Sequence, residues 1–327
     1  MVSGIRKWLY LSLCLLLLSG CNQDFQVHTG HYSSQPVIYA LFDPVDTLHT
    51  IRIERVFGAE QAPLQTVLIS DSLYFEEVQV IVKLTDDKGS VKEIITQRVD
   101  GQIKDPGLFE GGSHRVYQFS EVLSWWKFPL YKSVEVVVEV PGLEPASGSS
   151  SFLPRAHVLW PYVAQQYLFL DDNRPILIQW KGDAWNEMDI SFEVIEQYPD
   201  STACQTLRFE KRTDIIMVAG VCEVKIPYEL LVQDLVKNLS VKRGLVRRYF
   251  GVVQILIHTG NKDFRNWMQT MNGLNDFNGA SSTNIVNGLG FVACKWTTTV
   301  DSLKLDYFTR LKLASDPRLE KFGFIEF

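Results

Sequence analysis

The chain has 327 residues, 46% of them apolar, with 32 Lys and Arg against 38 Asp and Glu and a formal charge of −6. That length suffices for two domains of ordinary size, each with its own core. The mildly acidic balance excludes a broad basic face of the kind that holds nucleic acid.

The first element is a signal. Arg6 and Lys7 precede an apolar run from Trp8 to Leu18, and the small residues Ser19 and Gly20 stand just before Cys21. These are the three parts of a secretory signal peptide, and the run is too short to span a bilayer, which takes about 20 apolar residues. Leu18-Ser19-Gly20-Cys21 matches the lipobox of bacterial lipoproteins. The expectation is therefore that residues 1–20 are removed and that Cys21 is acylated. Two or three acyl chains anchor firmly, since each buried methylene contributes about 0.8 kcal/mol. Cys14 lacks the small neighbours and reads as filler of the apolar core. Cleavage would delete Arg6 and Lys7, the only charges before Cys21, and leave −8.

Residues 21–35 read as a polar tether. Period-two alternation, the mark of half-buried strands, then begins with "PVIYALF" and "TLHTIRIERVF" around the turn-forming Asp43-Pro44. "EEVQVIVKLTD" and "SVKEIITQRV" flank the hairpin signal Asp87-Lys88-Gly89, and "HRVYQFS" and "SVEVVVEVPG" follow. The cluster "PGLEPASGSSSFLP" reads either as a linker or as a last hairpin, and its serines as turn chemistry. Beyond it come "ILIQWKG", "DISFEVIEQY" and "RRYFGVVQILIHTG". Two helices interrupt them. One starts at Pro227 with Tyr228, Leu231, Val232, Leu235, Val236 and Leu239 on one face; the other runs from Asn261 to about Met271. The expected fold class is mainly β: two antiparallel β-sandwich domains of immunoglobulin or fibronectin type, residues 36–156 and 157–327, the second with two inserted amphipathic helices.

Cys204 and Cys222 would face each other if "QTLRFEKR" and "IIMVAGV" formed a hairpin centred on Thr213. Opposed strand positions suit a disulfide, worth about 3 kcal/mol for a loop of that length. Two unpaired thiols acting as small hydrophobes is the competing reading. Trp125 and Trp126 are candidate aromatic contacts, because adjacent residues of an extended segment face opposite sides and one would be exposed. Six scattered histidines make no metal-binding spacing, no GxSxG elbow occurs, and the "NGLGF" glycines at 287–291 precede a strand-like run, so they serve a tight bend and not a phosphate loop. The basic "KRGLVRR" at 242–248 reads as a solvated face. No cofactor and no metal is expected.

Asp46-Thr47, Asp71-Ser72, Asp200-Ser201 and Asp301-Ser302, each followed by Leu or Thr, look like the O-glycosylation signal of the Bacteroidota, which would modify Thr47, Ser72, Ser201 and Ser302. The alternative is ordinary turn chemistry at strand entrances. "PVIYALFDPVDTLHTIRIERVF" after a lipobox, the "HTGNKDFRNWMQT" helix and the closing "STNIVNGLGFVACK" together resemble a group of uncharacterised Bacteroidota outer-membrane lipoproteins. Cys294 departs from the serine or glycine expected there. The resemblance implies a two-domain, β-rich lipoprotein of the outer membrane, held to lipid through Cys21, of a group often encoded near TonB-dependent transporters and without an established activity. The expectation drawn from it is a non-enzymatic binding or accessory role with a TonB-dependent transporter as partner, and the acidic balance argues against nucleic acid. A structural or adhesive surface protein and a polymer hydrolase are the alternative readings.

Overall fold

The computed structural model describes residues 34–56, 73–103, 113–162, 165–208, 215–242, 247–271 and 283–325. The signal segment and Cys21 lie outside these residues, as does Ser72. The first half contains β1 (Gln35–Phe42), β2 (Leu48–Val56), β3 (Gln79–Thr85), β4 (Val91–Ile95), β5 (Gln97–Ile103), β6 (Ser113–Ser120), β7 (Ser124–Trp125), β8 (Phe128–Pro129), β9 (Ser133–Glu139) and β10 (Ala146–Ser151). The second contains β11 (His157–Trp160), β12 (Tyr167–Leu168), β13 (Ile176–Lys181), β14 (Trp185–Gln197), β15 (Thr202–Arg208), β16 (Ile216–Val218), β17 (Val221–Ile226), α1 (Tyr228–Asn238), β18 (Arg247–Gly260), α2 (Lys262–Met271), β19 (Ile285–Val286), β20 (Leu289–Leu305) and α3 (Tyr307–Ser315). The protein is mainly β, with several antiparallel sheets.

One sheet runs through the whole molecule in the order β15-β14-β18-β20-β1-β2-β6-β5, with β12 also on β20. Its centre is β20. Leu289–Cys294 pair parallel with Val37–Phe42 of β1, and Lys295–Leu303 pair antiparallel with β18. The two halves of one long strand thus serve two different cores. Strand alternation turns Ile38, Ala40 and Phe42 of β1 and Val292, Cys294 and Trp296 of β20 into a first core. There they meet Val80, Val82 and Leu84 of β3 and Val134, Val136 and Val138 of β9, from the sheet β19-β10-β9-β3-β4. The second core joins Met188, Ile190 and Phe192 of β14 and Ile255 and Ile257 of β18 to the sheet β11-β13-β17-β16 and to α1.

Gly290 explains how β20 approaches β1. Its φ is +97°, and a Cβ there would sit 2.1 Å from the Ile38 carbonyl oxygen, so only glycine fits. The "NGLGF" glycines therefore serve the close bend expected of them.

Four expectations need correction. Cys204 and Cys222 are free thiols. Cys204 lies on β15, opposite Ile195 of β14, whereas Cys222 lies on β17, opposite Trp180 of β13. The hairpin leading to β17 turns at Ala219-Gly220, both with positive φ as a two-residue hairpin turn requires; the expected centre, Thr213, lies outside the described residues. The serine-rich 147–151 is not a turn but strand β10, in which Gly148 leaves room for Ile285. Arg248, at the end of the basic cluster, is fully buried. Finally, α3 is a third helix where two were expected.

Candidate functional site

Three features of the described residues stand out: an exposed hairpin, a cleft and a polar relay between the cores. The hairpin is β7–β8. Trp125 and Trp126 are 78% and 75% exposed, and Phe128 beside them is 63% exposed. Both candidate tryptophans are thus open to solvent where one was expected to be. The hairpin is well seated nonetheless. Leu123 is buried in the first core, the Leu130 N–H donates to the Leu123 carbonyl at 2.8 Å, and the Ser124 hydroxyl donates to the Pro44 carbonyl at 2.7 Å. Trp126 has φ +56°, a conformation a bulky residue adopts only under constraint, and Lys127 Nζ lies 4.6 Å from the centroid of its ring.

The cleft, of about 220 Å³, opens between β11, the β12 segment and the β13–β17 pair. Trp160 and Phe169 give it aromatic surface, Pro175 and Ile176 apolar surface, and Arg174 and Lys225 positive charge; none of its lining residues is acidic. The Arg174 guanidinium lies 4.7 Å from the Phe169 ring centroid, stacked where its edge donors stay available. Lys225 is paired with Glu223 at 2.7 Å, so Arg174 is the stronger attraction for an anion. Only the fold assembles this set, since Arg174 sits in a β-turn and Trp160 and Lys225 come from strands on either side of β13. Nothing in the sequence spacing places these residues together.

The relay crosses the seam. The Thr297 hydroxyl on β20 donates to Asp43 Oδ2 at 2.6 Å, His258 Nδ1 on β18 is 3.0 Å from the same hydroxyl, and His258 Nε2 is 3.3 Å from Asp189 Oδ2 on β14. Lys295 Nζ stands 4.0 Å from Asp43. Burial, the largest influence, pulls the His258 pKa below the ordinary histidine value, against the Asp189 carboxylate that raises it. Asp, His and Thr in this order can serve acyl transfer. Here, however, Thr297 gives its one hydroxyl hydrogen to Asp43, so the oxygen is held as a brace between strands and not freed as a nucleophile.

The remaining candidates are spread over the surface. Thr47 and Ser201 are exposed in turns, and Ser302, with φ +62°, sits at an irregularity in β20. The exposed Cys204 thiol donates to Glu193 at 3.0 Å, and that carboxylate pushes its pKa up to about 11. Burial pushes the Cys222 thiol to about 11 and raises Cys294, which packs in the first core. All three thiols are therefore poor nucleophiles at neutral pH. No protein family matches the chain, and no curated protein is significantly similar to it.

Proposed function

We propose that the chain is a lipid-anchored lipoprotein of the bacterial outer membrane that acts as a binding or accessory protein for a TonB-dependent transporter. The lipobox ending at Cys21 and the resemblance of its opening and closing segments to Bacteroidota lipoproteins support the location and the partner. The binding role is carried by one observation, the cleft between Trp160 and Arg174. Ligand sites are concave, largely apolar and fitted with a few convergent polar groups, and this cleft has aromatic walls, two cations and no acid on its lining. Its ligand is an anion with a ring or apolar face, the anion on the Arg174 edge and the ring on Trp160. In the same reading, the two apolar cores support a body of two sandwiches of immunoglobulin or fibronectin type with helices inserted in the second, antiparallel apart from the parallel pairing of β20 with β1 and β12.

Titration calorimetry with glucuronate as probe and glucose as neutral control tests the cleft. Glucuronate binds, glucose does not, and Arg174→Gln weakens glucuronate about tenfold or more, the loss of a charge-assisted pair. Equal binding of both sugars, or glucuronate binding indifferent to Arg174→Gln, sinks the cleft assignment. The mass of the mature N-terminus tests the anchor: a diacylglyceryl adduct on Cys21 is expected, and an unmodified Cys21 ends that part of the reading. Copurification after cross-linking in the native envelope tests the partner, and repeated absence of a transporter barrel counts against it.

A further inference from the structure

The cleft is concave; the β7–β8 hairpin is convex, and its side chains are of another kind. Trp125, Trp126 and Phe128 stand at its tip, with Val122 and Leu130 exposed at its base. On the adjoining turn, tied to it through the bond from Ser124 to Pro44, Val45 and Leu48 are exposed as well. Scattered apolar residues on a surface need no explanation, but a contiguous group containing two tryptophans marks an interface. A projecting tip suits a protein partner only if that partner supplies a matching pocket. The interfacial layer of a bilayer needs no matching shape, and it favours tryptophan in particular, whose ring is apolar and whose N–H is polar.

Three further observations favour lipid. Lys127 directly follows the two tryptophans, and its ammonium lies over the Trp126 ring, from where a flexible lysine stem can turn it to headgroup phosphates while the rings sit deeper. Trp126 keeps a positive φ that is unfavourable for a bulky residue, so folding does not account for a tryptophan at the tip. Reach permits it too. The residues from Cys21 to Gln35 extend at most about 50 Å, against about 27 Å for the length of β1. An anchor at Cys21 can therefore lie in the same membrane plane as the hairpin at the far end of β1.

We propose that the β7–β8 hairpin is a second membrane contact, whose tip enters the interfacial layer of the bilayer and holds the body against the membrane instead of leaving it at the end of a tether. This rests on the lipid-anchor reading above. It assigns Trp125, Trp126 and Phe128 to the lipid boundary and Lys127 to the headgroups.

The test uses the purified full-length lipoprotein in vesicles of phosphatidylethanolamine and phosphatidylglycerol doped with brominated phosphatidylcholine. Brominated lipid quenches tryptophan emission of the unaltered chain. The Trp125→Ala/Trp126→Ala variant stays vesicle-bound through its acyl chains, keeps its thermal midpoint and loses that quenching. Equal quenching in the two proteins overturns the proposal. As a second readout, Lys127→Cys in a Cys204→Ser background, where the other two described thiols are buried, carries a polarity-sensitive dye. Its emission shifts to the blue on vesicles; an unshifted dye overturns the assignment to lipid. If the mass spectrum shows no acyl group, the anchor reading fails by itself, and the soluble chain is added to the same vesicles. Partitioning about tenfold weaker in the double alanine variant then still upholds the hairpin, and equal partitioning overturns it.

Discussion

Arg248 shows how much a single residue can decide here. Its side chain is buried, and its Nη2 lies 2.8 Å from Glu196, itself buried. The guanidinium also donates to the carbonyls of Phe322 and Ser240. Glu196 keeps a second cation, Lys242 Nζ at 2.8 Å, so Arg248→Met removes the guanidinium's bonds without leaving the carboxylate unpaired and should cost about 3 kcal/mol, and Arg248→Met with Glu196→Gln distinctly less. Urea unfolding of both variants checks this; equal losses would contradict it. A second residue-scale prediction concerns Trp126, whose positive φ costs about 1–3 kcal/mol. Trp126→Gly should leave stability unchanged or raise it by about 1 kcal/mol while lowering vesicle quenching, a trade that marks the tryptophan as kept for contact and not for folding. Two histidines set the pH response. Burial lowers the pKa of both His49 and His258, so the unfolded chain binds protons more readily than the folded one. The stability they contribute is complete above the unfolded value near 6.5 and is lost as pH falls below it toward their folded values. Thermal midpoints measured from pH 7.5 to 5 should fall, and the His49→Gln/His258→Gln variant should show a flatter curve.

At the scale of elements, local pattern was a good guide where one face is buried and a poor one elsewhere. Helix α1 begins after Pro227 and buries Tyr228, Leu231, Val232 and Leu235, the stripe read from the sequence, with Val236 at its exposed margin. Helix α2 likewise starts after Asn261, whose Oδ1 accepts from the Phe264 N–H. Helix α3 was missed because it buries only Thr309 and Leu313 and opens with the exposed Tyr307 and Phe308, so no stripe shows. Its cap was the available signal. Asp306 accepts from the N–H groups of Phe308 and Thr309 at 3.0 and 3.1 Å, and Asp306→Ala should cost about 1 kcal/mol. At the end of α3, Arg318 holds the Asp316 carboxyl down at about 2, and Asp316 in turn accepts from the Tyr228 hydroxyl on α1 at 3.0 Å. That tie is present above the ordinary carboxylate pKa and fades only as pH drops from about 4 toward 2.

For the whole molecule the decisive feature is β20. Val292, Cys294 and Trp296 of β20, with Ile285 of β19, complete a core otherwise built from residues 38–153, while Leu303 and Leu305 of β20 enter the other core. A fragment of residues 34–156 should therefore fail to give dispersed amide resonances alone and recover them when coexpressed with residues 157–325; a well-folded isolated fragment would refute that dependence. The relay from Asp43 through Thr297 and His258 to Asp189 adds polar bracing across the same seam. Period and composition indicated which stretches are strands and which helix faces are apolar, because each depends on residues a few positions apart. Tertiary structure alone decided that β20 runs beside β1, that Cys204 and Cys222 lie in different sheets, that Arg248 is buried and that Trp160, Arg174 and Lys225 share a cleft. Those outcomes depend on which apolar faces meet across long stretches of chain, and sequence spacing carries no record of that pairing.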